Sequence, residues 1–192
     1  ESIQYAGAWS YVYSGSGAGT SDIQATISPS TTPGKWVRFE AYGKLSDINV
    51  PNGKRYITYY MDGQKPQVLI NQENVVTRDI DSTWKYQSFA LYVARDLNLD
   101  GTWKAYDIEY KSYYDDIYID KTQARVELCD GSTWSNRTHC EIQIPTAWSS
   151  GSITFTANQG SFANGTKAYL YVVDSEGNVN ANGYNITISG GS

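Results

Sequence analysis

The sequence predicts an all-β protein, an antiparallel β-sandwich, and three observations carry that expectation. Apolar residues recur with a period of two along most of the chain, the signature of half-buried strands. The composition holds 17 Tyr, 6 Trp and 17 Gly against a single Met, a mixture that suits pleated sheets and tight turns better than helices. Turn pairs such as Asp62-Gly63, Asn164-Gly165 and Asn182-Gly183 separate the alternating runs. With 40% hydrophobic and 18% charged residues, the chain has apolar surface enough for a packed core.

The elements follow in order. ESIQYAGAWSYVY opens with a strand-like alternation. It is expected to pair within its own sheet or with another copy, since an early sheet edge is normally blunted or covered. In KWVRFEAYGKL, Val37, Phe39, Ala41 and Leu45 share one face, and Arg38, Glu40 and Lys44 the other. Tyr56 to Met61 forms the next strand and stops at Asp62-Gly63, a hairpin turn. A short QVLI strand follows. Phe89, Leu91 and Val93 alternate between Trp84 and Ala94, and Ile117 and Ile119 alternate with Tyr118 and Asp120. The later strands are shorter. They carry Ala124, Val126 and Leu128; Ile142 and Ile144, ended by Pro145; Ile153 and Phe155; Ala168, Leu170 and Val172; and Tyr184, Ile186 and Ile188. A boundary near 122 divides the chain into a first β-sandwich domain, 1–122, and a small second β domain, 123–192. The second is small for an independent core and is expected to lean on the first.

The net charge of −5 repels phosphate backbones, and no basic stripe offsets it, so nucleic acid is excluded as a partner. No apolar run is long enough to span a membrane as a helix. Cys129 and Cys140 suggest a disulfide, and with the Tyr-, Ser-, Thr- and Asn-rich composition they suit a secreted, extracellular or cell-surface setting. The start at Glu1 reads either as a processed terminus or as the beginning of a fragment.

The most specific local motif lies in ARDLNLDGTWKAYD. Asp96, Asn98 and Asp100 stand two apart, Gly101 follows, and Asp107 falls at the twelfth position. That spacing turns oxygen ligands onto one point, so the loop is a candidate structural calcium site. The other reading is an Asn/Asp-rich hairpin loop whose side chains satisfy its own backbone. Asp115 and Asp116 point to opposite faces of a strand, which makes them a poor acid/base pair; Asp115 is expected to be half-buried beside Ile117 and to serve structure. A Ser-His-Asp system has only His139 to draw on, and no nucleophile-elbow motif accompanies it. No catalytic residues are assigned. Trp9, Tyr11, Tyr13, Tyr59, Trp103, Tyr114 and Tyr118 are candidates for contact with carbohydrate or a partner, because contiguous exposed aromatics mark binding surfaces. Trp36 and Trp84 read equally well as core. Asn136 and Asn164 are loop sequons and candidate glycan acceptors; the sequon at Asn185 sits inside a strand pattern.

GKWVRFEAYGKL, the strand ending in MDG, WKYQSFALYVAR and YYDDIYIDKTQARVEL together resemble the C-terminal half of bacterial lectin-like jelly rolls. These are the concanavalin-like domains related to polysaccharide lyases and laminarinase-type glucanases. IQIPTAWSSGSITFTANQGSFANGTKAYLYVVDSEGNVNANGY resembles the Ig-like or fibronectin-like segment that follows such domains. The resemblance implies a jelly-roll-like sandwich with a C-terminal Ig-like sandwich, and a sugar-binding or scaffolding ancestry. The catalytic His/Tyr/Arg arrangement of the lyases is missing. Half a jelly roll leaves strand edges to be covered, and strand addition between copies covers them and propagates into a filament. The expectation is therefore a non-catalytic protein that self-assembles into an extracellular filament or surface layer, with Ile3 and Tyr5, or Tyr184 and Ile186, in the donor strand. The alternative is a carbohydrate-binding module, and more remotely a lyase or glucanase remnant.

Overall fold

The computed structural model describes residues 9–12, 23–26, 35–61, 63–78 and 113–189, the first two segments and residue 60 by their backbone alone. Every regular element among them is a strand except one 3₁₀ turn, Trp134–Asn136. The architecture is all-β and antiparallel, as the period-two pattern predicts. By compactness the chain forms two units, one made of residues 1–84 with 121–192 and the other of 85–120.

Strands β1 (Trp9–Val12) and β2 (Ile23–Thr26) pair antiparallel, so this part of the N-terminal alternation is engaged within its own chain. Three longer strands, β3 (Val37–Lys44), β4 (Gly53–Met61) and β5 (Gln67–Val75), form a meander in that order. The β4–β5 turn closes where Gln64 N–H donates to the Met61 carbonyl at 2.9 Å, with Gly63 at φ 79°. A side chain is strained there, which explains the Asp-Gly signal. The β3–β4 loop is tied down by Thr77, whose hydroxyl donates to the Lys44 carbonyl and accepts from Ser46 N–H.

The remaining strands are β6 (Arg125–Cys129), β7 (Cys140–Trp148), β8 (Ile153–Thr156), β9 (Lys167–Val173) and β10 (Tyr184–Thr187). They form one five-stranded sheet in the order β10-β9-β6-β7-β8. Leu128, Phe162, Ala168 and Ile188 make its apolar core, with Leu170 and Ile186 packed against them. All but Phe162, which comes from the β8–β9 loop, occupy even positions, as the sequence alternation predicts.

Four expectations are corrected. Pro145 does not end its strand: β7 runs through it to Trp148 and pairs with β8. Its missing N–H costs no ladder bond, because at this point β7 has run past the start of β6 at Arg125. In β7 the apolar and polar faces are also inverted. Glu141 and Gln143 are buried, while Ile144 is 50% exposed. Gln143 is satisfied inside: its Nε2 donates to the Glu141 and Asn158 carbonyls, and its Oε1 accepts from Asn158 N–H. The YYDDIYID segment is not a strand. Residues 113–120 have no ladder, and Asp116 sits at φ 49°. Asp115 is exposed and accepts from Asp116 N–H at 2.9 Å, a local turn bond in place of the half-buried position expected for it.

Candidate functional site

Two strands carry the same tripeptide pattern, Arg38-Phe39-Glu40 in β3 and Arg125-Val126-Glu127 in β6. A period of two places the Arg and Glu of each strand on one face. The two faces meet. Arg38 Nη2 lies 2.7 Å from Glu40 and 3.0 Å from Glu127; Arg125 Nη2 lies 3.2 Å from Glu40, and its Nε bonds Glu127. Each arginine thus bridges both carboxylates, a square of alternating charge between the three-stranded and five-stranded sheets. Arg38 Nη1 also donates to the Cys140 carbonyl at 3.3 Å. Glu127 is wholly buried. Burial pushes its carboxyl pKa up, but Arg38 and Arg125 outweigh this and hold it below the ordinary value. The face of β3 expected to meet solvent therefore lies against the other sheet, and the supposed inner face leaves Phe39 and Ala41 exposed.

Beside the square, Cys129 and Cys140 form the expected disulfide, with Cα atoms 4.1 Å apart. They face one another across β6 and β7. Asp130 N–H donates to the His139 carbonyl one position on, so the cysteines occupy a non-hydrogen-bonded pair, where strands approach most closely. Tyr171 packs on this bridge, with Trp134 tilted against it at 5.2 Å. The Arg137 guanidinium lies 3.4 Å from the centre of the Trp134 ring. The Glu127 carboxylate and both sulfurs fall within 4.8 Å of one another. The sulfurs are bonded to each other and two guanidiniums already neutralise the carboxylate, so this cluster does not fit a cation.

A second polar cluster forms on the opposite face. Glu141 Oε1 lies 2.8 Å from His139 Nε2 and accepts from Ser161 N–H at 2.9 Å; Ser161 Oγ is 2.9 Å from the same His139 Nε2. A nucleophile relay needs the acid on one ring nitrogen and the hydroxyl on the other. Here both meet Nε2, so the trio pins the 157–166 loop to β7. Burial raises the Glu141 pKa, but bonds from His139 and Ser161 outweigh it and leave it lowered.

The predicted contact residues scatter. Tyr59 is buried beside Ile57, with its hydroxyl donating to Gln67 at 3.0 Å, and presents no ring to a ligand. Tyr114 is exposed; Tyr118 is half-buried and donates to Asp120. Trp36, read equally well as core, is exposed. Trp9 and Tyr11 lie in β1, where only the backbone is described. Tyr13, Trp103, Ile3, Tyr5, Trp84 and the calcium candidates Asp96, Asn98, Asp100 and Asp107 lie outside the described residues. Asn136 and Asn164 are exposed; Asn136 accepts from Lys65 Nζ at 2.8 Å and Asn164 from Gln159 Nε2 at 3.0 Å.

The remaining candidates, Tyr184 and Ile186, lie in β10, which among the described residues is a rim of the five-stranded sheet. Tyr184 is 74% exposed and Ile186 packs on the core. The opposite rim is β8. Their sequences, YNIT and ITFT, contain neither a charge nor a proline. Natural edges are usually blunted by one or the other. No protein-family model, curated protein or solved structure matches the chain.

Proposed function

We propose that this chain is a secreted, non-catalytic structural protein that assembles with copies of itself by strand addition, forming an extracellular filament or surface layer. The observation that carries this reading is the pair of unguarded rims. Among the described residues, β10 and β8 each pair on one side only, and both are β-branched or aromatic at alternate positions with nothing to repel another strand. An edge of this kind is a template for main-chain pairing, which gives affinity without needing a pocket. Two such rims on one sheet let a contact repeat instead of closing. The disulfide suits an oxidising compartment. The resemblance to lectin-like jelly rolls and their Ig-like followers fits a scaffolding ancestry.

Light scattering on the purified chain across a concentration series, followed by electron microscopy, tests the reading. The expected result is a mass that rises with concentration and elongated particles. A monomer throughout the series overturns it.

A further inference from the structure

The hydrogen-bond alternation shows which groups the β10 rim offers. Ile188 N–H donates to the Thr166 carbonyl at 2.9 Å, and Gly165 N–H donates to the Ile188 carbonyl at 2.8 Å. Position 188 therefore bonds inward. Ile186 and Tyr184, two and four residues back and paired with Ala168 and Leu170, bond inward as well. The N–H and C=O groups of Asn185 and Thr187 point away from β9. Both residues are exposed.

The count of strands decides how a second copy meets this rim. Five antiparallel strands are an odd number, so β10 and β8 run in the same direction. A copy added by translation brings β8 beside β10 in parallel. A copy rotated by a two-fold axis normal to the sheet brings β10 beside β10 in antiparallel, the stronger ladder. We propose, resting on the self-assembly reading above, that the partner of β10 is β10 of a second copy, arranged about such an axis at Ile186.

Within the strand, this register uses every outward group. Asn185 exchanges both main-chain bonds with Thr187 of the second copy, and Thr187 with Asn185, four bonds in all. Ile186 faces its own counterpart on the side of the apolar core, which makes the two cores continuous. The exposed Tyr184 ring falls opposite Ile188 of the second copy, an aromatic–β-branched pair that covers the tyrosine. The contact is isologous and closes a dimer by itself. The opposite rim, β8, remains open to extend it.

Two single variants, Asn185→Cys and Thr187→Cys, test the register with a short thiol-reactive crosslinker, after thermal melts confirm that both retain the parent fold. A covalent dimer is expected when the two variants are mixed and is expected to be lost when either is treated alone, because each cysteine faces the other position in the second copy. A dimer formed equally by one variant alone overturns the register. No dimer in the mixture, while light scattering still shows assemblies, overturns the β10 pairing and leaves the proposed function standing. Monomers under every condition overturn both.

Discussion

At the scale of the residue, Glu127 is where sequence and environment conflict most. A carboxylate without solvent contact is stable only because two guanidiniums hold it. Removing its charge leaves Arg38 and Arg125 with one carboxylate of the square, Glu40, between them. Glu127→Gln is expected to destabilise the fold by about 3–5 kcal/mol, read by denaturant unfolding at neutral pH. A loss below about 1 kcal/mol is what an exposed pair gives and contradicts a buried square. The arrangement was legible in one respect. The repeated Arg-x-Glu pattern put like residues on one face of each strand. What it did not reveal is that these two faces meet, since alternation assigns charged faces to solvent.

At the scale of the element, strand existence was the most legible property and strand orientation the least. Apolar alternation located β3, β4 and β6 to β10, because period two is local. It misassigned the buried side of β7, because Gln143 and Glu141 are made compatible with burial by partners from the 157–166 loop. The Cys129–Cys140 bridge joins the central strand of that sheet, β6, to its neighbour β7. Replacing both cysteines by alanine is expected to cost about 3 kcal/mol through freedom regained by the unfolded chain, and calorimetry of the double variant against the parent measures it. Thr187→Lys places a charge on the β10 rim, where the internal ladder does not use the Thr187 N–H. It is expected to leave the melting temperature within a few degrees of the parent and to limit growth in mass with concentration to the dimer that the β8 rim alone can form. Unchanged assembly contradicts a role for this edge.

At the scale of the whole molecule, the three-stranded and five-stranded sheets meet through charge, and this makes the fold acid-sensitive. Glu127 and Glu141 both sit below the ordinary carboxylate value of 4.5. A group with a lowered folded pKa binds fewer protons when folded than when unfolded. Its contribution is complete above about pH 4.5 and is lost as pH falls through the depressed folded value. Unfolding free energy is therefore expected to fall steeply on acidification below that point. In Glu127→Gln the slope is expected to flatten, and denaturant titrations at a series of pH values measure both. An equal slope in the variant contradicts the assignment.

The sequence by itself determined the class of the protein: period-two alternation and Gly- and Asn-rich turns act within a few residues, and they specify strands, hairpins and the pairing of two nearby cysteines. The placement of the aromatic candidates could not be read this way, because Tyr59 and Tyr184 occupy the same alternating pattern, yet one is buried and the other exposed. Only the tertiary structure decided which faces are interior and which strands are rims. Burial depends on the surface that arrives from elsewhere in the chain. A polar face counts as interior when its charges find partners there, as those of Arg38 and Glu127 do.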